Sequence, residues 1–92
     1  METLSDQDTR VVRAILLEEL GVTEEQLTPE ARFDEDLGAD SLTRVEIALS
    51  LEDRLNLTIP DEQWEKVATV ADLSEALAEL LANSGRGARD SE

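Results

Sequence analysis

Apolar side chains recur at three- and four-residue intervals in three stretches of the chain, and this spacing predicts three long helices that each bury one face. Side chains with oxygen acceptors precede each stretch and predict N-caps, because they accept hydrogen bonds from the first free N–H groups of a helix. A glycine ends the first stretch, as is common at the C-terminal end of a helix. The predicted helices run from about Ser5 to Leu20, from Asp40 to Leu55 or Asn56, and from Thr69 to about Ala82.

The segments between these helices also have sequence patterns that predict structure. Segment 22–40 lacks a helical period, but its apolar residues are spaced to enter a core repeatedly, so we expect a packed loop. After Pro60, Asp61 predicts the cap of a short helix that holds Trp64 and Val67. The whole pattern predicts an all-α fold: a small four-helix bundle with three longer helices, one short helix and a long packed loop between helices 1 and 2. The loop anchors are Val22, Leu27, Phe33 and Leu37.

The second predicted helix has two apolar faces at about 100° of rotation per residue. Ile47, Leu51 and Leu55 share one sector, with Ala48 at its edge, and predict the face that packs on the core. The opposite face is predicted to be a docking surface, because no further apolar segment remains to cover it. A helix packed on both sides is the alternative. Arg44, near the core face, is expected to extend its charged head to solvent. The second face comprises Leu42, Val45 and Leu49, with Glu46, Glu52 and Asp53 among them.

Beyond the last predicted helix, residues 83–92 are small, polar and unpatterned, which predicts a disordered tail after a single domain over residues 1–82. The chain has no run of about eighteen apolar residues, so no membrane span is predicted. Its first residues lack the basic-then-apolar order of a signal peptide. We therefore expect a cytoplasmic protein, and a monomer.

The net charge of −15, from 23 acidic against 8 basic residues, narrows the class of partner. Such a charge repels nucleic acids and anionic membrane surfaces. Basic patches on other proteins, or divalent cations, suit it better, and we favour protein partners. Acidic residues that serve only solubility are the alternative.

Cysteine and histidine are absent, which excludes disulfides, thiolate nucleophiles, the commonest zinc ligands and the usual general base at neutral pH. A hydrolytic triad is therefore excluded, and we predict a protein that is not an enzyme and has no metal site. Paired carboxylates such as Asp34 and Asp36 leave a carboxylate enzyme open, although a solvated loop or a weak cation site is the simpler interpretation.

Ser41 is the one residue whose position suggests covalent chemistry. It lies in the first turn of the second predicted helix, behind Gly38, where free N–H groups and the positive end of the helix dipole favour a phosphate. The alternative is that Ser41 only shares the N-cap with Asp40.

The residues around Ser41 support a role in covalent attachment. The segment Leu37-Gly38-Ala39-Asp40-Ser41-Leu42 is followed by Val45-Glu46 and Ile59-Pro60-Asp61, and Thr69-Val70 and Leu73 open the last helix. Together with Phe33, this arrangement resembles the phosphopantetheine attachment motif of acyl carrier proteins, over about Ser5 to Ala82.

The resemblance implies that Ser41 takes 4′-phosphopantetheine from coenzyme A, through a phosphopantetheinyl transferase that uses Mg²⁺ and lies beside Asp40. The thiol of this arm carries acyl groups as thioesters between acyltransferases, ketosynthases and related enzymes with basic docking patches. Arg44, Arg54 and Trp64 depart from the usual pattern, so fatty-acid, polyketide and other natural-product pathways all stay open. An interaction module of the same fold that is never modified is the alternative. The residues implied to bind partners are Asp40, Leu42, Val45, Glu46, Leu49, Glu52 and Asp53.

Overall fold

The computed structural model describes residues 4–84, which form a helical bundle. The described chain is 65% helical, contains no strand, and includes one 3-10 turn, so the predicted all-α class is confirmed. No helix within residues 4–84 is long and apolar enough to cross a bilayer. The helices are α1 (Asp6–Leu20), α2 (Ser41–Leu55), α3 (Asp61–Glu65) and α4 (Val70–Ser84), and the 3-10 turn is Glu24–Gln26.

The caps of the long helices agree with the sequence prediction. The hydroxyl of Ser5 accepts the Asp8 N–H at 3.0 Å and caps α1. At the start of α4, Thr69 and Asp72 form a reciprocal pair: the Thr69 hydroxyl accepts the Asp72 N–H at 3.1 Å, and the Asp72 carboxylate accepts the Thr69 N–H at 3.2 Å. Such a pair satisfies two N–H groups at a helix start that have no partner within the helix.

Three predicted boundaries differ from the structure. Asp61 is the first residue of α3 and makes no capping bond, because Pro60 occupies the cap position and offers no side-chain acceptor. Val67 lies beyond the end of α3 at Glu65. α4 continues to Ser84, two residues into the predicted tail, and residues 85–92 of that tail lie outside the described part of the chain.

The long loop between α1 and α2 is held to the start of α4 by backbone hydrogen bonds. The Phe33 N–H donates to the Ala68 carbonyl at 3.0 Å, and the Val70 N–H donates to the Ala31 carbonyl at 3.0 Å. Phe33, Leu27 and Leu37 are buried in the core, as predicted, and Val22 packs against it half-buried. These bonds and anchors explain how a loop of this length fits a compact domain.

α2 packs on the core through one face only. Ile47 and Leu51 have no exposed surface and Leu55 is 2% exposed, which confirms the predicted core stripe. Leu42, Val45 and Leu49 are 66%, 51% and 60% exposed. The alternative of a helix packed on both sides is therefore wrong within the described residues.

This difference between the faces predicts different costs of truncation. Leu51→Ala removes buried methyl groups and leaves a cavity, so it should lower the free energy of unfolding by about 2–4 kcal/mol. Leu49→Ala is the matched control on the same helix, and it should cost less than about 1 kcal/mol because the side chain is already hydrated. Urea unfolding followed by circular dichroism measures both, and equal losses would contradict the assignment of the faces.

Candidate functional site

The chain turns sharply into α2 just before Ser41. Gly38 has a φ of +70°, a left-handed conformation that costs glycine little because it has no Cβ. Ala39 is buried, and its N–H donates to the Phe33 carbonyl at 2.8 Å. Ala39, the residue before the N-cap of α2, is thereby fixed to the core.

Asp40 is the N-cap of α2, as predicted. Its carboxylate accepts the Thr43 N–H at 2.9 Å. This backbone bond, with a further contribution from the Thr43 side chain, lowers the pKa of the Asp40 carboxyl below its usual value. Asp40 is therefore a stable anion beside Ser41 and a poor acceptor for the serine proton. Thr43 was missed by the sequence analysis, although its position three residues after an N-cap aspartate is where the bonded N–H is found.

Ser41 is the first residue of α2 and is exposed. Within residues 4–84 its hydroxyl makes no hydrogen bond, so the alternative in which Ser41 shares the capping of α2 is wrong: Asp40 alone supplies the cap. A hydroxyl with this freedom, at the positive end of a 15-residue helix, can accept a bulky anionic substituent without disturbing any contact.

The apolar trio Leu42, Val45 and Leu49 lies on the exposed face of α2, on the same helix as Ser41. Glu46 and Asp53 are exposed beside it, as the sequence predicts. Glu52 differs, because it is half-buried and its carboxylate accepts the Ile59 N–H at 2.8 Å. Glu52 therefore holds the connection between α2 and α3, which limits its freedom to meet a partner.

The prediction that Arg44 extends its head to solvent is wrong. Its side chain is only 19% exposed, and its guanidinium donates to the carbonyl of Val67 at 2.7 Å and to that of Trp64 at 3.4 Å. It also lies 5.1 Å from the centre of the Trp64 ring and 5.7 Å from that of Phe33. The signal for this was present: Arg44 lies in the sector of the helix that carries Ile47 and Leu51.

The acidic residues of the loop have separate partners. Asp34 pairs with Arg44 at 3.6 Å, and Asp36 accepts the Arg32 N–H at 2.9 Å. Over residues 4–84, no group of three or more acidic side chains is arranged to hold a metal ion. Nothing in this arrangement supports a carboxylate enzyme at Asp34 and Asp36.

Comparison with protein-family models gives a match that covers most of the chain. The model described as "Phosphopantetheine attachment site" matches residues 10–77, which is more than half of the 92-residue chain. The match runs from α1 to α4 and includes the start of α2, with Asp40 and Ser41.

The lowered pKa of Asp40 predicts a pH-dependent contribution to stability. This contribution is complete well above the unfolded-state pKa of about 4 and is lost as the pH falls through the lower folded-state pKa. Asp40→Asn keeps an acceptor at the cap but has no charge to titrate. The wild type should therefore be the more stable protein at pH 7, and its advantage should shrink as the pH falls below about 4. Urea unfolding of both proteins from pH 7 to 3 tests this, and a constant difference would contradict it.

Proposed function

The chain belongs to the phosphopantetheine attachment-site family, which is that of acyl carrier proteins, and from this premise we propose that Ser41 is the residue that carries its 4′-phosphopantetheine. A carrier domain of this kind is not itself catalytic, and its chemistry is done by partner enzymes. The observation that carries the proposal is the exposed Ser41 hydroxyl, which makes no hydrogen bond within residues 4–84, at the start of α2.

The residues at the start of α2 fit this group. The arm supplies a thiol that holds acyl groups as thioesters, and the chain has no cysteine to serve instead. During loading, Ser41 Oγ would bond to the phosphorus of coenzyme A that bears the pantetheine. The bond from this phosphorus to the oxygen of the adenosine bisphosphate leaving group would break. The serine proton would pass to a base of the transferase, since Asp40 is a poor proton acceptor. Asp40 instead holds the first turn of the helix and offers negative charge toward the transferase and its Mg²⁺.

The exposed face of α2 is the surface we propose for partner docking. The apolar trio supplies area that partners can bury, and Glu46 and Asp53 favour partners that carry Arg or Lys opposite them. The proposed partners are the transferase, acyltransferases and ketosynthases. The acyl cargo belongs to fatty-acid or polyketide and related biosynthesis, and the proposed location is the cytoplasm.

Loading of a single serine tests the proposed attachment site. Incubation with coenzyme A, Mg²⁺ and a broad-specificity phosphopantetheinyl transferase should add one phosphopantetheine mass to the wild type and none to Ser41→Ala. Intact-mass spectrometry reads the result.

Ser5→Ala is the matched control, because Ser5 also lies at the N-terminus of a 15-residue helix and should not be needed for loading. Addition of the arm to Ser41→Ala would overturn the assignment of Ser41. A wild type that is never loaded would favour an unmodified interaction module.

The acidic and apolar parts of the docking face should respond differently to salt. Glu46→Lys should slow loading of Ser41 at low ionic strength, and the deficit should shrink as salt rises, because exposed charges are screened beyond about 8 Å at physiological ionic strength. Leu49→Ala should slow loading with little dependence on salt, since the lost contribution is apolar burial. Initial loading rates at several salt concentrations separate the two. A normal low-salt loading rate for Glu46→Lys would contradict the proposed role of Glu46 in partner binding.

A further inference from the structure

The two sides of the apolar trio of α2 differ in charge. On the side that faces α3, Glu52 is the only carboxylate of α2, and it is bound to the Ile59 N–H. On the other side, Glu46 and Asp53 are exposed, and neither makes a hydrogen bond or ion pair within residues 4–84. The free negative charge of α2 therefore lies along one edge of the docking face.

This edge meets the end of α1. Four residues follow one another around α2, at about 100° per residue and with increasing distance from the apolar trio: Asp53, Glu46, Ser50 and Arg54. The Ser50 hydroxyl donates to the Glu19 carboxylate at 3.4 Å, so this side of α2 faces the last turn of α1. Glu18, next to Glu19, is 69% exposed and lies 3.7 Å from the Arg54 guanidinium. The carboxylate of Glu18 therefore extends the acidic edge of α2 onto α1.

Arg54 interrupts this acidic edge. Of the two arginines in α2, Arg44 is bound to the carbonyls of Trp64 and Val67, and only Arg54 is exposed. Its guanidinium is too far from the Glu18 carboxylate for a hydrogen bond, and ion pairs between exposed side chains are weak. Both charges are therefore available to a partner that covers this end of α2.

The position of the pair along α2 determines which partners meet it. With a rise of about 1.5 Å per residue, Glu46 lies about 8 Å from Ser41 along the helix axis and Arg54 lies about 20 Å from it. A partner that reaches Ser41 passes close to Glu46, but only a contact that runs the length of α2 reaches Arg54. Glu46 and Arg54 are about 12 Å apart along the axis, more than the Debye length of about 8 Å at physiological ionic strength. The two charges therefore act almost independently on a partner.

We propose that the docking surface extends from α2 onto the end of α1, and that Glu18 and Arg54 act there with opposite effects on partner binding. This inference rests on the proposed function, because it concerns enzymes that reach Ser41. The partner is an enzyme whose basic patch is long enough to cover α2 as far as α1. Glu18 attracts the Arg and Lys residues at the far end of that patch, and Arg54 repels them, so the pair selects among partners by the charge they carry there.

Loading rates of the full chain test whether the two charges act in opposite directions. The probe is coenzyme A with Mg²⁺ and a broad-specificity phosphopantetheinyl transferase, and mass spectrometry follows the modification of Ser41. Glu18→Gln should slow initial loading and Arg54→Gln should speed it, each by about two- to fivefold at low ionic strength, and both effects should shrink as salt rises. A purely structural ion pair predicts the same sign for both variants, because each variant breaks the same pair.

Two control variants make the same changes of net charge at exposed positions outside the proposed surface. Arg10→Gln matches Arg54→Gln, since Arg10 lies about 180° around α1 from Glu19. Glu75→Gln on α4 matches Glu18→Gln. Both controls should load at the wild-type rate. Circular dichroism should show the wild-type helix content in all four variants, because the substituted side chains are exposed.

Three results would overturn the proposal. Glu18→Gln and Arg54→Gln could shift the rate in the same direction, or both could load at the wild-type rate. Equal rate changes in the control variants would mean that net charge alone is responsible. The final extent of loading is a separate measurement: complete loading at unchanged rates overturns this inference alone, whereas a Ser41 that is never loaded overturns the proposed function and this inference with it.

Discussion

Burial of Ile47, Leu51 and Leu55 fixes the rotation of α2 about its axis, and the rest of the site depends on that rotation. With these three side chains in the core, Ser41 projects at the edge of the helix, and Leu42, Val45 and Leu49 must face outward. Burial of these aliphatic side chains supplies the free energy that sets this orientation. Because each residue of a helix has a fixed angle about the axis, the orientation of three side chains determines the direction of all the others. The position of Ser41 is thereby set by side chains that are entirely apolar.

The start of α2 is held from the other side by the loop. Phe33 bonds to Ala68, Ala39 bonds back to Phe33, and the left-handed Gly38 lies between Ala39 and the rest of the loop. These contacts link the residues that precede α2 to the residues that precede α4, although the two segments are far apart along the chain. The segment before Ser41 has no regular structure, but its backbone N–H groups at Phe33, Asp36, Leu37 and Ala39 donate hydrogen bonds to carbonyl groups.

The sequence predicted the features that follow from periodicity and capping, and missed those that depend on contacts between distant segments. Helical spacing was sufficient for the two faces of α2, and local hydrogen-bonding rules were sufficient for the caps at Ser5, Asp40 and Thr69. Arg44 was misplaced because its acceptors, at Trp64 and Val67, come from a segment some twenty residues later. The bond of Glu52 to Ile59 was missed for a similar reason, since only the path of the chain after α2 brings them together. Asp61 was assigned as a cap from residue type alone, and Pro60 took that position.

The half-buried position of Glu52 distinguishes it from the other acidic residues of the proposed docking face. Glu46 and Asp53 are exposed and make no hydrogen bond or ion pair within residues 4–84, so substitutions there would change the proposed docking surface and leave the fold unaltered. Glu52 serves the fold at the same time, and its replacement would release the Ile59 N–H. Substitutions at Glu46 and Asp53 would therefore alter the proposed docking surface alone, whereas a substitution at Glu52 would also alter the connection between α2 and α3.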